Sequence, residues 1–78
     1  MVILRFFASS RDRAGISMIE IDVSSIKMLK RYLIEHFDKL TEEYLSKCRF
    51  ACNNKYIDET FELSENDQIM LLPPVSGG

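Results

Sequence analysis

A chain of 78 residues makes one small domain, and a hydrophobic fraction of 46% is ample for a folded core but only a modest one. Charge is nearly balanced, 10 basic against 12 acidic side chains, with no basic stripe or cluster to suit a nucleic acid. The apolar runs are too short to span a bilayer. The opening Met1-Val2-Ile3-Leu4-Arg5-Phe6-Phe7 has neither a basic region before its apolar run nor a small-residue cleavage site, so it does not read as a signal peptide.

Residues 2–8 alternate. Val2, Leu4, Phe6 and Ala8 share one side and Ile3, Arg5 and Phe7 the other, which predicts a first strand with Arg5 on the more solvated face. Residues 9–14 are polar and charged and read as a helical turn closed by Gly15 as C-cap. Residues 17–23 alternate again, with Ile19, Ile21 and Val23 inward and Met18, Glu20 and Asp22 outward, completing an N-terminal hairpin. Ser24 and Ser25 are N-cap candidates for a helix over residues 25–37. Its apolar face is Ile26, Leu29, Leu33 and Phe37, spaced by three and four, with Lys27, Lys30, Arg31 and Glu35 left in water. Residues 40–45 add a short second turn, with Thr41 as its cap. Cys48, Phe50 and Cys52 then alternate inward, Asn53-Asn54 reads as a turn because Asn tolerates positive φ, and Tyr56-Ile57 is a short extended piece. Leu63 is expected beneath a further turn over residues 64–67. Residues 68–72 form the last strand, with Ile69 and Leu71 inward and Met70 and Leu72 outward.

The order strand, strand, helix, strand, short strand, strand is α+β: one main helix on one face of a mixed sheet of four to five strands. The first and last strands are the most apolar and are expected at the centre. That is a β-grasp, the ubiquitin-like architecture. A ferredoxin-like split fold needs a second long helix, which residues 38–47 barely supply.

The chain closes on Leu71-Leu72-Pro73-Pro74-Val75-Ser76-Gly77-Gly78. Two prolines fix φ and resist helix, so the stem is expected to leave the body extended. Gly77 and Gly78 carry no Cβ and suit a channel too narrow for a side chain. The sequence is thus expected to divide into a domain over 1–72 and a flexible C-terminal tail over 73–78, and a Gly78 carboxylate presented this way can be a substrate for another enzyme's active site. A frayed terminus is the plainer alternative, but it leaves the Pro-Pro stem and the strand leading into it without a purpose. Cys48 and Cys52, if on one strand, lie ~13 Å apart at ~3.3 Å per residue, beyond the ~7 Å that a disulfide allows. With a single histidine they are too few for zinc. Both read as buried reduced thiols, which suits a cytoplasmic location.

Three stretches together resemble one family: Leu4-Arg5-Phe6-Phe7-Ala8 with Arg11-Asp12-Arg13-Ala14-Gly15; Ala51-Cys52-Asn53-Asn54; and Asn66-Asp67 with the tail Pro73-Pro74-Val75-Ser76-Gly77-Gly78. The family is the sulfur-carrier subunit of molybdopterin synthase, within the wider MoaD/ThiS ubiquitin-like group, and the resemblance runs end to end. Cys52 stands where an aliphatic residue is usual and Asn66 where a turn glycine is usual. The resemblance implies that Gly78, preceded by Gly77, is adenylated by a separate ATP-dependent activating enzyme resembling that of ubiquitin. The acyl-adenylate then becomes a thiocarboxylate. In complex with the synthase large subunit, as a heterotetramer, its sulfur passes to cyclic pyranopterin monophosphate to build the dithiolene that holds molybdenum or tungsten. No cofactor or metal is expected on this chain itself; ATP is used by the partner. The same tail also fits a ubiquitin-like modifier joined to lysines through Gly78, or a thiazole-pathway sulfur carrier, the latter disfavoured by Pro73-Pro74-Val75.

With the helix on one face, Phe7, Tyr56, Met70 and Leu72 are expected on the other, an apolar patch beside the stem Pro73-Pro74-Val75 that docks partners. The alternative for Phe7 and Tyr56 is that they are half-buried sheet residues. A catalytic arrangement of Ser9-Ser10-Arg11-Asp12 with His36 has no support in spacing. Glu42-Glu43 reads as a dipole-matched first turn, and no glycine-rich phosphate loop is present.

Overall fold

A computed structural model describes residues 1–74; the expectations placed on Val75, Ser76, Gly77 and Gly78 lie outside the described residues. The chain runs β1 (Val2–Phe6), α1 (Ser9–Ala14), β2 (Met18–Ile21), α2 (Ile26–His36), α3 (Glu42–Lys47), β3 (Arg49–Cys52), β4 (Lys55–Ile57) and β5 (Gln68–Leu72). The five strands form one sheet in the order β2-β1-β5-β3-β4. β1 and β5 pair in parallel, with Phe6 opposite Leu71, and the other neighbours are antiparallel. The first and last strands are therefore interior, as their apolar content requires, and the fold is the β-grasp. Among the described residues no helix is long and apolar enough to cross a membrane.

The helices cover one face. Val2, Leu4, Phe6, Phe50, Ile69 and Leu71 from the sheet meet Ile26, Leu29, Leu33, Leu40, Tyr44 and Leu45 from the helical layer, all buried. Phe37, at the C-cap of α2, is half-buried and packs edge-on against Phe6 with ring centroids 5.9 Å apart. Local chemistry sets the boundaries. Ser25 Oγ accepts the Met28 N–H at 3.2 Å and Thr41 Oγ1 the Tyr44 N–H at 3.1 Å, each occupying a helix-start donor that would otherwise lack a partner. Gly15, at φ 79°, ends α1 in the left-handed region and donates its N–H to Arg11 O. Asn53 and Asn54, at φ 55° and 66°, form the two-residue connection between the paired Cys52 and Lys55, the geometry of a type I′ hairpin. Asn66 accepts φ 69° where glycine would be the easy choice.

Four local expectations need correction. Ala8 is exposed, and not on the inward side of β1: its backbone turns to φ 50°, ψ −124°, so the alternation stops at Phe6. The second helix starts and ends two residues later than the 40–45 span, because Thr41 caps Glu42 and the helix continues to Lys47. β2 is confined to Met18–Ile21, and Val23 is only half-buried. Cys52 is buried but Cys48, lying at the C-cap of α3 before β3 begins, is half-buried.

Candidate functional site

The face of the sheet opposite the helices is open, and the strand registers align its side chains. Met18 lies opposite Arg5, Arg5 opposite Met70, Met70 opposite Ala51, and Ala51 opposite Tyr56. One row therefore crosses all five strands: Met18, Arg5, Met70, Ala51, Tyr56. Side chains in such rows stand close enough to act as one surface. Tyr56 is 66% exposed and Met18 42%, whereas Met70 is half-buried and Ala51, between Met70 and Tyr56, is 7% exposed. The Arg49 guanidinium sits 4.9 Å from the centroid of the Tyr56 ring, holding that ring by a cation–π contact while remaining exposed itself. Across from Arg49 lies Leu72.

The same end of the sheet carries the stem. β1 and β5 run in the same direction and finish together, Phe6 beside Leu71. Phe7 follows from one strand and Leu72-Pro73-Pro74 from the other. Phe7 is 37% exposed; Leu72, Pro73 and Pro74 are each half-buried, so the root of the stem rests partly on the body. Met70, Leu72 and Tyr56 thus share the open face, with Tyr56 on an edge strand, and Phe7 leaves β1 at the end of the sheet where the stem departs. Val75, Gly77 and Gly78 lie outside the described residues.

Sequence reasoning placed Arg5 and Met18 outward but did not join them to the patch, because alternation assigns a face and not a register. It missed the Arg49–Tyr56 stack for the same reason. It also missed that Ser10 is 0% exposed, since a polar and charged segment reads as solvated. Ser9, the other serine of that segment, meets Tyr44 Oη at 2.6 Å, while Arg13 stacks 3.9 Å over the Tyr44 ring. These contacts tie α1 to α3. His36 stands apart from them, stacked on Tyr32 with centroids 4.2 Å apart, so no serine–histidine pair forms.

The titratable groups that shift are structural. Burial pushes the Cys48 and Cys52 thiols up, away from the reactive thiolate. Burial likewise raises the Tyr44 phenol. Asp58 is held down by the Thr60 hydroxyl and N–H, and Glu59 by the Lys30 ammonium at 2.9 Å. Among the described residues no three His, Cys, Asp or Glu side chains gather to hold a metal. The open face presents Met18, Met70 and Tyr56 together with two exposed arginines, Arg5 and Arg49.

Comparison with known proteins agrees with this geometry. The family model described as the ThiS family matches residues 4–78. Subunit 1 of the Helicobacter pylori molybdopterin-converting factor, solved in a complex with subunit 2, is 35% identical, with a TM-score of 0.74 over 99% of this chain and 97% of that one. SAMP1 from Haloferax volcanii is 20% identical but shares the fold at a TM-score of 0.83, over 99% of this chain and 98% of that one. A comparison with curated protein sequences finds no match. The chain therefore belongs to the ThiS family, the ThiS/MoaD-like group of ubiquitin-like sulfur carriers.

Proposed function

We propose that this chain carries sulfur on the carboxyl group of Gly78 and delivers it, docked on a large synthase subunit, to cyclic pyranopterin monophosphate during molybdenum- or tungsten-cofactor synthesis. The observation that carries this reading is the 35% identity, over the whole chain, with a molybdopterin-converting factor subunit 1 solved together with its subunit 2. The tail Pro73-Pro74-Val75-Ser76-Gly77-Gly78 agrees with it.

The chemistry divides between the chain and its partners. A carboxylate is a poor electrophile. Attack of the Gly78 carboxylate on the α-phosphorus of ATP, in the active site of a separate adenylyltransferase, expels pyrophosphate and installs AMP as leaving group. A sulfur nucleophile then displaces AMP and leaves a thiocarboxylate. Its sulfur is ionised at neutral pH and soft, and attacks carbon as thiolates do. No side chain of this protein takes part in these steps. The body supplies recognition through Phe7, Met70, Leu72 and Tyr56. Pro73, Pro74 and Val75 carry the glycines into the partner's site. Every step takes place in the cytoplasm, where the thiols stay reduced.

The test is intact-mass analysis after incubation with the activating enzyme, ATP and sulfide. The chain is expected to gain the mass difference of sulfur for oxygen, and the variant lacking Gly78 to gain nothing. Wild-type chain that stays unchanged overturns the reading. Attachment to target lysines through Gly78 shares the activation step, and a ladder of larger conjugates in cell extract, with no thiocarboxylate on the free chain, would put the modifier in the carrier's place.

A further inference from the structure

We propose that Ser10 is a positioning residue for sulfur transfer: its buried hydroxyl latches the turn that carries Phe7 to the end of β5, and so fixes the docking aromatic relative to the strand that leads out to the tail. This rests on the sulfur-carrier reading above.

Three observations meet at this residue. Ser10 is 0% exposed, the one buried residue of the six in α1. A buried hydroxyl has to find partners, and this one has them. It accepts the Phe7 N–H at 2.9 Å and lies 2.7 Å from Phe7 O and 3.3 Å from Leu71 O. Its single proton is shared between those two carbonyls, with the nearer one favoured. The main chain closes the same turn, Ser10 N–H to Phe7 O at 3.0 Å. The second observation is strain. Ala8 sits at φ 50°, ψ −124°, the first central position of a type II′ turn, which glycine normally fills. An alanine held there needs surroundings that over-determine it, and the Ser10 bonds on both sides of the Phe7 peptide do so. The third is place. β1 and β5 end side by side at Phe6 and Leu71, where one chain folds back into α1 and the other goes on to Pro73. The latch spans that fork.

A merely space-filling residue at this point would need no hydroxyl. For delivery the fork matters, because the open face sets where the body docks and Leu72 sets where the tail departs. Six residues lead from Leu72 to Gly78 and reach at most ~20 Å when extended. Pro73 and Pro74 fix φ, so an error in departure is carried along the stem, and transfer needs the reacting sulfur within ~3.5 Å of its target.

The experiment separates positioning from stability. Ser10→Ala removes the latch, and Ala8→Gly relieves the positive φ, so the double variant recovers the melting temperature that Ser10→Ala loses. Thiocarboxylate forms of wild type and double variant, made by chemical ligation, are titrated against the large subunit and assayed for single-turnover sulfur transfer. Measured at saturating large subunit, where any loss of affinity through Phe7 does not enter, the double variant is expected to transfer about tenfold more slowly, with 15N relaxation showing greater motion at Leu72. Transfer at the wild-type rate, or Leu72 relaxation unchanged even in Ser10→Ala well below its melting range, overturns the latch. Wild-type thiocarboxylate that transfers nothing overturns the carrier reading instead, and the two failures are told apart because only the second is seen without any substitution.

Discussion

Among the described residues Phe7 and Tyr56 are the two exposed Phe or Tyr side chains, and they are anchored differently. Tyr56 stands at 66% exposure on β4 with its ring held by Arg49; Phe7 stands at 37% exposure on a turn fixed through its own peptide by Ser10. Fixed aromatics lose little entropy on association and dominate interface energetics. Phe7→Ala is expected to weaken binding to the large subunit by about 2 kcal/mol, roughly thirtyfold in Kd. Its melting temperature should stay near wild type, because the core on the other face of the sheet is untouched. Calorimetric titration beside a melting curve checks both, and unchanged affinity removes Phe7 from the interface. Gly15 offers a contrasting residue-scale case, where backbone alone decides. No atom lies within 4 Å of a Cβ added there, but φ is 79°. Gly15→Ala should therefore destabilise by about 1 kcal/mol through strain and not collision, measured as a lower urea midpoint with unchanged m-value.

Elements were legible where periodicity and capping agreed. The spacing of Ile26, Leu29 and Leu33 with Ser25 before it gave α2 nearly whole, and the structure puts the Ser25 hydroxyl on the Met28 N–H. Thr41 was readable as a cap, yet the end of α3 was not, since no glycine or proline follows Lys47 and the helix ends only where Cys48 turns extended. Ala8 misled because a small apolar residue after Phe6 and Phe7 continues the alternation, while its positive φ depends on a serine two positions later. Face was legible and register was not: nothing in Met18, Arg5, Met70, Ala51 and Tyr56 taken singly says that they line up. Tyr56, Met70 and Leu72 were accordingly readable one by one as outward residues, while the row across the sheet that aligns Met70 with Tyr56 was not. The two caps give a prediction at this scale. Ser25→Ala and Thr41→Ala should each cost about 1 kcal/mol. The two cap hydrogen bonds share no partner, so their effects should add within a few tenths of a kcal/mol. Chemical denaturation of both singles and the double tests this, and a strongly non-additive double would show that α2 and α3 form as one unit.

At the scale of the whole molecule, a small domain has one core and unfolds as one unit, so every group whose proton affinity changes on folding tilts the same equilibrium. On the acid side Asp58 and Glu59 are depressed by Thr60 and Lys30. Their contribution is present above the ordinary carboxylate range and lost as pH falls through their lowered values. Both are exposed, so the effect is small. On the alkaline side Cys48 and Cys52 are raised by burial. The folded chain keeps protons that the unfolded chain releases once pH passes the ordinary thiol range. Stability is therefore full below that range and falls as pH climbs from it through the raised folded values. Cys52 makes the cleaner probe, since it is 3% exposed and lies opposite Ile69, whereas Cys48 also donates to the Tyr44 carbonyl. Melting curves from neutral to strongly alkaline pH should show a plateau and then a decline, with the decline smaller by a few degrees in Cys52→Ala. Cys52→Ala should sit slightly below wild type on the plateau, having lost packed volume, and the two curves should converge as pH rises. Parallel curves across the whole range would mean that the Cys52 thiol ionises as readily inside the fold as outside it, and that the core beneath the open face admits water to the sheet.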